Sequence, residues 1–230
     1  MKLTILIPCL NEERTLEEVI KIAKKYLKSK KLDKVSEIIV CDNNSSDNSV
    51  MIAKKCNVRV VIEKKIGYGS TLINGINCAK GEFIIMGDAD LSYDFNDLDP
   101  FIEKLEEGYD LVVGNRFKGG IEKGAMPFLH KLGVPALSLF GNILFRTPIR
   151  DYHGGLRAFR RDAILKLNLK SEGMEFASEM ICIAKRQGLN LAEVPTRLYK
   201  DQRNKKSHIN TFKDGFRHLI CMIKIKFNRY

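Results

Sequence analysis

The stretch EFIIMGDADLSYD, residues 82–94, decides the fold and the place of the chemistry. It begins with a run of large apolar residues, which is typical of a strand buried on both faces of a sheet. Asp88 and Asp90 follow at once, separated by a single residue. Along an extended segment, residues i and i+2 point to the same side. The pattern therefore predicts a buried strand that ends in two carboxylates on one face, able to share a hard cation such as Mg²⁺ or Mn²⁺.

An Asp-x-Asp pair is weak evidence by itself, because aspartates are common in turns and helix caps after strands. The position of this pair among the predicted strands strengthens the interpretation as a metal site. Apolar runs at 3–8, 35–41, 58–62, 82–87 and 110–115 read as strands that alternate with helical segments. Such alternation predicts an α/β fold with a mainly parallel central sheet and helices on both faces. Ligands bind these sheets at the carboxyl ends of the strands, where polar residues collect here at 8–12, 42–45, 88–90 and 115–116. Asn11 is a predicted cap of the first helix, with Glu12 and Glu13 in its first turn.

The alternation changes after residue 116. A basic loop (117–125) precedes an apolar helical region (126–146), a helix near 174–187, a strand (189–195), a basic loop (196–208) and a last helix (209–227). No Pro/Ser-rich linker interrupts the chain. We therefore predict one domain over 1–230, with a first functional half at 1–116 and a second at 117–230.

Charge is distributed unevenly between the two parts of the chain. Residues 1–110 carry 16 Lys and Arg against 19 Asp and Glu, whereas residues 111–230 carry 23 against 9. The second part is therefore predicted to face phosphates, a membrane surface or nucleic acid, unless its cations are only solvated surface residues. A nucleic-acid-binding domain is the alternative from another class. Two observations count against this alternative: the sequence contains no nucleic-acid recognition motif, and it has no Trp to stack on bases.

Two nucleotide-binding motifs are absent. GYGSTL has no third glycine at residue 72, so the dinucleotide fingerprint fails, and no GxxxxGK[ST] occurs. A nicotinamide-dependent enzyme and a P-loop ATPase are both disfavoured.

Several motifs in a fixed order make the chain resemble the family 2 glycosyltransferases of GT-A fold. Among these it is most similar to the polyprenyl-phosphate (dolichyl-phosphate) sugar synthases. The resemblance covers nearly the whole chain and rests on IPCLNEE (7–13), IIVCDNNSSDNS (38–49), GYGSTLINGINCAKGEFIIMGDADLSYD (67–94), GNRFKGGIEKGAMPFLHKLG (114–133), DYHGGLRAF (151–159), EFASEM (175–180) and AEVP (192–195).

The resemblance implies a nucleotide-diphosphate sugar donor, with UDP-glucose or UDP-N-acetylglucosamine favoured and GDP-mannose as the third choice. It implies a set of roles: a nucleotide pocket of Pro8, Asn11, Glu12, Asp42 and Asp88, a metal held by Asp88 and Asp90, an acceptor phosphate on Arg116 and Lys131, and Arg203 on a loop that closes over the donor. The chain departs from the family pattern at Asn43 and Ser92 and in RNKKSH (203–208), which has no glycine and carries His208 at the usual lysine position.

The acceptor decides whether a base is needed. A hydroxyl acceptor must lose a proton, whereas a phosphate acceptor is already ionised at neutral pH. Polyprenyl phosphate therefore needs only a metal on the leaving diphosphate and cations near the acceptor, and we expect inversion by one in-line displacement. The alternative is a hydroxyl acceptor on a lipid-linked saccharide or polymer, with Glu175 or Glu179 as base; otherwise these are structural acids, for example partners of Arg157. His153 is a further candidate for contact with the metal or the diphosphate.

The last helix predicts contact with a membrane surface. Its apolar face is bordered by Lys and Arg, which is typical of a helix lying on anionic lipid, although a face that packs on the domain has the same composition. The face comprises Phe212, Phe216, Leu219, Ile220, Ile223 and Phe227. Region 126–146 is a second candidate surface. No signal peptide and no run long enough to span a bilayer are expected. We predict a cytoplasmic protein attached peripherally to the cytoplasmic face.

Overall fold

The computed structural model describes residues 2–203 and 211–228. The described strands form one seven-stranded sheet in the order β3-β2-β1-β4-β6-β5-β7. They are β1 (Leu3–Cys9), β2 (Ser36–Asp42), β3 (Arg59–Ile62), β4 (Phe83–Met86), β5 (Leu111–Asn115), β6 (Arg157–Arg160) and β7 (Leu191–Pro195). All pairs are parallel except those that β6 makes with β4 and β5. The predicted α/β fold with a mainly parallel sheet is confirmed.

Helices cover both faces of the sheet. They are α1 (Leu16–Ser29), α2 (Ser49–Lys55), α3 (Tyr68–Cys78), α4 (Asp99–Glu106), α5 (Arg116–Gly119), α6 (Phe128–Phe145), α7 (Arg161–Leu165), α8 (Phe176–Arg186) and α9 (Thr211–Lys226). Alternate residues of β1 show the two layers, because successive side chains of a strand point to opposite faces. Ile5 and Ile7 join one core with Val19 of α1, and Leu6 joins the other with Leu72 of α3.

Strand β6 is the element that the sequence did not reveal. It lies between β4 and β5, where Ala158 is paired with Ile85 on one side and with Val112 on the other. Its sequence, RAFR, is short and begins and ends with arginine, so it lacks the apolar run that identifies a buried strand.

Two expectations are wrong. Helix α1 begins at Leu16, with Thr15 at its N-cap, so Asn11 is not a cap and the acids of the first turn are Glu17 and Glu18. Helix α6 is long and apolar enough to cross a membrane by length and composition, contrary to the expectation that no segment reaches that length. Pro135 and Gly141 lie within it without ending it.

Helices α6 and α9 lie side by side and leave apolar side chains exposed. Lys226 of α9 donates to the carbonyl of Leu144 in α6 at 2.8 Å. Helix α9 buries Met222 and Ile225, whereas its other face carries Phe216, Ile220, Ile223 and Phe227 with exposures from 36% to 67%. Most of the predicted apolar face of α9 therefore points outward, but Leu219 of that face packs on the domain together with Met222 and Ile225. The side chain of Phe212 lies outside the described part of the chain.

Candidate active site

A cavity of about 330 Å³ opens at the carboxyl ends of β4 and β5. Parallel strands bring the ends of β1, β2, β4 and β5 to one edge of the sheet, so the loops that follow them meet there. The cavity wall combines three carboxylates, three guanidinium groups and three imidazoles: Asp88, Asp90, Asp201, Arg116, Arg157, Arg203, His130, His153 and His218.

The acidic pair of the quoted stretch lies in this wall. Asp88 accepts a hydrogen bond from the Tyr68 hydroxyl at 3.0 Å. Asp90 is buried, and its Oδ1 accepts from the backbone N–H of Ser92 at 3.0 Å and from the Ser92 hydroxyl. Burial and the neighbouring charge of Asp90 raise the pKa of Asp88 above its usual range. A buried carboxylate whose charge is disfavoured by a neighbouring carboxylate is stabilised by a cation between them.

Arg116 is fixed by a buried ion pair. It follows β5 directly, and its Nε and Nη2 donate to the two carboxylate oxygens of Asp151, each at 2.8 Å. The backbone N–H of Arg116 donates to the same carboxylate at 3.1 Å. Asp151 is completely buried, and its own N–H donates to Glu193 of β7 at 2.8 Å. The two-point contact holds the guanidinium plane in one orientation at the cavity wall.

The DYHGG turn needs its glycines because backbone and side chains approach it closely. A Cβ on Gly155 would lie 2.5 Å from Oδ2 of Asp88, and one on Gly154 would lie 2.2 Å from the carbonyl oxygen of Gly114. Arg157 then fastens the turn to α8, since it donates to the carbonyls of Gly154, Tyr152 and Ala177 at 2.8, 2.6 and 2.9 Å. Burial lowers the pKa of Arg157.

Two histidines, His153 and His218, line the cavity beside this turn. The rings of His153 and His218 meet edge to face with centroids 4.3 Å apart. Nδ1 of His218 is hydrogen-bonded to the Ser178 hydroxyl at 2.8 Å. Both ring nitrogens of His153 are buried without a hydrogen-bond partner in the described chain. Burial lowers the pKa of His153 well below its usual value and that of His218 to about 4, so both rings are neutral at neutral pH.

Arg203 closes the acidic side of the cavity. Its Nη2 lies 3.2 Å from Oδ2 of Asp90, and its Nη1 lies 3.5 Å from Oε1 of Glu12. Arg203 is the residue that the sequence predicts on a closing loop, and the described part of that loop lies against the acidic pair. His208 lies outside the described residues.

The predicted nucleoside residues lie next to the cavity, at the ends of β1 and β2. Asp42 is buried; its Oδ2 accepts from the Ser45 N–H at 3.0 Å, and its Oδ1 has no hydrogen-bond partner in the described chain. Asn11 has a positive φ of 58° and accepts from the Ser46 N–H at 2.7 Å, so it ties the two loops together. Pro8 is buried within β1.

Besides the nucleoside residues, three other predicted residues do not line the cavity. Lys131 is exposed on α6, and the preceding residue, His130, lines the wall instead. Glu179 is completely buried and accepts the backbone N–H groups of residues 170 and 171 at 2.7 and 2.8 Å. Glu175 pairs with Arg217 at 2.8 Å, not with Arg157. The two candidate bases thus have structural partners, and neither lines the cavity.

Sequence reasoning missed the residues that hold the site together. Asp151 and Arg157 stand inside the DYHGGLRAF motif, and Glu193 stands inside AEVP. Arg157 was considered only as a partner of Glu175 or Glu179, and Asp151 and Glu193 were assigned no role. A charged residue within an otherwise apolar or glycine-rich motif was the available signal, because a buried charge requires a dedicated partner. Nothing in the sequence indicated that His130 rather than Lys131 faces inward.

Comparison with known proteins places the chain in a family. The family description "Glycosyl transferase family 2" matches residues 4–167. Low-salt glycan biosynthesis hexosyltransferase Agl6 of Haloferax volcanii is 34% identical over 223 residues, which are 96% of this chain and 53% of Agl6. The chain therefore spans about half the length of that relative. Glycosyltransferase AglJ of the same organism is 26% identical over 92% of this chain and 67% of its own length.

Solved structures show the same fold. Glucosyl-3-phosphoglycerate synthase of Mycobacterium tuberculosis, crystallised with Mn²⁺, UDP and glucosyl-3-phosphoglycerate, superposes with a TM-score of 0.75 at 20% identity. The match covers 98% of this chain and 79% of that one. The same enzyme was also crystallised with Mg²⁺ and UDP. With an α/β sheet of this order and a family match over most of its length, the chain belongs to glycosyl transferase family 2.

Proposed function

We propose that the protein is an inverting glycosyltransferase that moves a hexose from a nucleotide-diphosphate donor to the phosphate of a polyprenyl (dolichyl) phosphate. One observation carries the proposal: an acidic pair, Asp88 and Asp90, and the guanidinium groups of Arg116 and Arg157 line the same cavity. A cation-binding side and an anion-binding side in one cavity are what the transfer of a sugar between two phosphates requires.

The acidic pair fits a divalent cation. No group of three or more His, Cys, Asp or Glu side chains is placed to hold a metal within residues 2–203 and 211–228. Asp88 and Asp90 would therefore be its protein ligands, and diphosphate oxygens and water would complete the shell, as is usual for Mg²⁺. When bound, the metal supplies positive charge that stabilises the leaving diphosphate.

The donor pocket extends from the acidic pair toward the ends of β1 and β2. The unpartnered Oδ1 of Asp42 is a buried acceptor, which a donor group of a base or ribose would satisfy. Glu12 and Asn11 border the same loops. A uridine donor, UDP-glucose or UDP-N-acetylglucosamine, is favoured over GDP-mannose; the solved relatives hold UDP and UDP-glucose.

The acceptor side favours a phosphate over a hydroxyl. The carboxylates that line the cavity in the described chain are those of Asp88, Asp90 and Asp201, and the proposed metal and Arg203 engage them. Glu175 and Glu179 have structural partners. A phosphate acceptor needs no base, so its oxygen attacks the anomeric carbon directly while Arg116, held by Asp151, offsets its charge. His130 joins Arg116 in this wall and takes the place predicted for Lys131.

The α6–α9 surface supports attachment to the cytoplasmic face of a membrane. Phe128, Leu132, Leu139 and Ile143 form a stripe on α6 with exposures from 60% to 72%. Helix α6 packs beside α9, which carries an exposed stripe of its own, and the described part of both helices exposes Lys and Arg but no acid. Apolar stripes with cations between them fit an anionic lipid surface. His130 and Pro127 belong to the cavity wall and to the start of α6, so the lipid acceptor would enter from that surface.

A donor panel tests the activity. The protein is incubated with Mn²⁺, a short polyprenyl phosphate, and UDP-glucose, UDP-N-acetylglucosamine or GDP-mannose in turn, and lipid products are identified by mass. We expect one lipid-phosphate sugar of inverted configuration, lost with a chelator and in Asp90→Asn. Donor hydrolysis without lipid product, or transfer to a hydroxyl acceptor, would refute the phosphate acceptor. Retained configuration would refute the single displacement.

Vesicle flotation tests the membrane surface separately. We expect binding to vesicles with anionic lipid that weakens at high salt, and loss of binding in the double variant Leu132→Gln/Ile143→Gln. Ile66→Gln is the matched control, because Ile66 is 77% exposed but lies far along the chain from α6 and α9. Equal flotation of both variants would refute the assignment of this surface.

A further inference from the structure

We propose that Arg203 is an internal counter-cation of the acidic site. In the ligand-free protein it occupies the place of a divalent cation beside Asp90, and it passes to the donor diphosphate when metal and nucleotide bind together. The inference rests on the proposed donor and goes beyond it, because it predicts how metal and nucleotide affinities depend on each other.

The backbone brings Arg203 to the acidic pair. The N–H of Tyr199 donates to the carbonyl of Ser92 at 3.0 Å, and the N–H of Gln202 donates to the carbonyl of Asp90 at 3.1 Å. The N–H of Leu198 donates to the carbonyl of Gly120 at 2.9 Å. Residues 198–203 therefore run along the loop of the acidic pair, and the arginine side chain, only 17% exposed, is held beside that pair in the ligand-free protein.

The guanidinium contacts the oxygen that a metal needs. Oδ1 of Asp90 is taken by the two Ser92 donors, which leaves Oδ2 as the oxygen available to a cation. Nη2 of Arg203 lies 3.2 Å from this Oδ2. A positive side chain and a divalent cation cannot both bind one carboxylate oxygen at close range without strong repulsion. Metal binding at Asp90 therefore requires Arg203 to move.

The contacts of Arg203 are suited to exchange. Its distances to Asp90, Glu12 and Asp201 are 3.2, 3.5 and 3.4 Å, whereas the static pair of Arg116 and Asp151 shows 2.8 Å. Longer contacts spread over three carboxylates hold the charge in place without one strong, directional bond. A diphosphate offers Arg203 a close partner with more charge, so the nucleotide would draw it away from Asp90 as the metal arrives.

This arrangement predicts thermodynamic coupling. Metal alone must displace Arg203 without giving it a new partner. Nucleotide alone draws Arg203 away and so brings its diphosphate next to two carboxylates, Asp88 and Asp90, whose charge no cation then neutralises. Each ligand therefore strengthens the other, and by linkage the factor is the same in both directions. Arg203 is thus a positioning residue whose removal should strengthen the binding of metal alone and weaken the binding of nucleotide in the presence of metal.

The test is a binding cycle with Mn²⁺ and UDP on the whole protein, using electron paramagnetic resonance for free Mn²⁺ and calorimetry for UDP. Relative to the wild type, Arg203→Met should bind Mn²⁺ alone about 5- to 20-fold more tightly and should bind UDP in the presence of Mn²⁺ about 10-fold or more weakly. Arg197→Met is the matched control, because Arg197 is an exposed arginine of the same segment that contacts Tyr199 outside the acidic pair. Its affinities should equal those of the wild type.

The outcomes separate the two proposals. Weaker or unchanged Mn²⁺ binding by Arg203→Met, in a variant whose melting temperature matches the control, would overturn the counter-cation role, since a structural role weakens both ligands. A wild type that binds neither Mn²⁺ nor UDP would refute the proposed donor and this inference together. Arg203→Lys, which keeps the charge, should bind Mn²⁺ alone like the wild type; affinity equal to that of Arg203→Met would also contradict the proposal.

Discussion

The buried pair of Arg116 and Asp151 permits a quantitative prediction. Asp151 is fully buried and accepts both side-chain donors of Arg116 at 2.8 Å, as well as two backbone N–H groups, from Arg116 at 3.1 Å and from His153 at 3.2 Å. Asp151→Asn keeps the shape but turns one acceptor into a donor and leaves a guanidinium without its counter-ion. Removal of one partner from a buried pair costs about 3–5 kcal/mol. For a chain of this length that loss lowers the melting temperature by about 10 °C.

The assay is a double-mutant cycle followed by urea denaturation and thermal melting. Arg116→Met, Asp151→Asn and the double variant are compared with the wild type. The double variant no longer contains an unpaired buried charge, so its loss of unfolding free energy should be smaller than the sum of the single losses by about 2 kcal/mol. Additive losses, or a melting temperature of Asp151→Asn within 2 °C or so of the wild type, would refute the reasoning that this pair is desolvated and mutually dependent.

Three further outcomes are expected. Because burial lowers the pKa of His218 to about 4 from 6.5, the unfolded chain binds a proton near pH 5 that the folded chain does not, and this residue by itself should lower the unfolding free energy by about 2 kcal/mol between pH 7 and pH 5. In urea titrations, the fall in unfolding free energy over this pH range should be smaller in His218→Asn than in the wild type by that amount; an unchanged fall would contradict it. Gly141→Ala places a Cβ 2.4 Å from Cε2 of Tyr152, so it should cost about 1–3 kcal/mol, and an unchanged melting temperature would argue against the close approach of α6. Glu175→Gln should keep the transfer rate within about threefold, because its partner is Arg217 and the reaction needs no base; a loss of about 100-fold or more would restore the hydroxyl-acceptor alternative.

The parallel core of the fold was accessible from sequence because its signal is local. Strands such as β1 and β2 are continuous apolar runs that end in polar loops, and parallel pairing follows from the helices between them. The position of Asp88 and Asp90 at a strand end followed from the same pattern. The antiparallel β6 was not accessible, because its first residue, Arg157, is charged and is buried through carbonyl acceptors of the preceding turn and of α8.

The acceptor side was less accessible for a geometric reason. Neighbouring residues of a helix are separated by about 100° around its axis, so a shift of one position decides which of His130 and Lys131 faces the cavity. The start of α6 after Pro127 sets that rotation, and no local pattern reveals it. In the same way, Asn11 has the composition of a helix cap, but its amide is used to bind the loop after β2.

The central position of β6 has a consequence for how the chain acquires its structure. Strand β5 pairs only with β6 and β7 in the described sheet, and β4 pairs with β1 on one side and β6 on the other. A growing chain that has reached residue 116 therefore carries β5 with no neighbour and β4 with one apolar edge open. Unpaired apolar strand edges promote pairing between strands of different molecules. Synthesis must continue past residue 160 before β6 can cover the open edge of β4, so the strand that leads into the two aspartates stays exposed to pairing with other molecules until then.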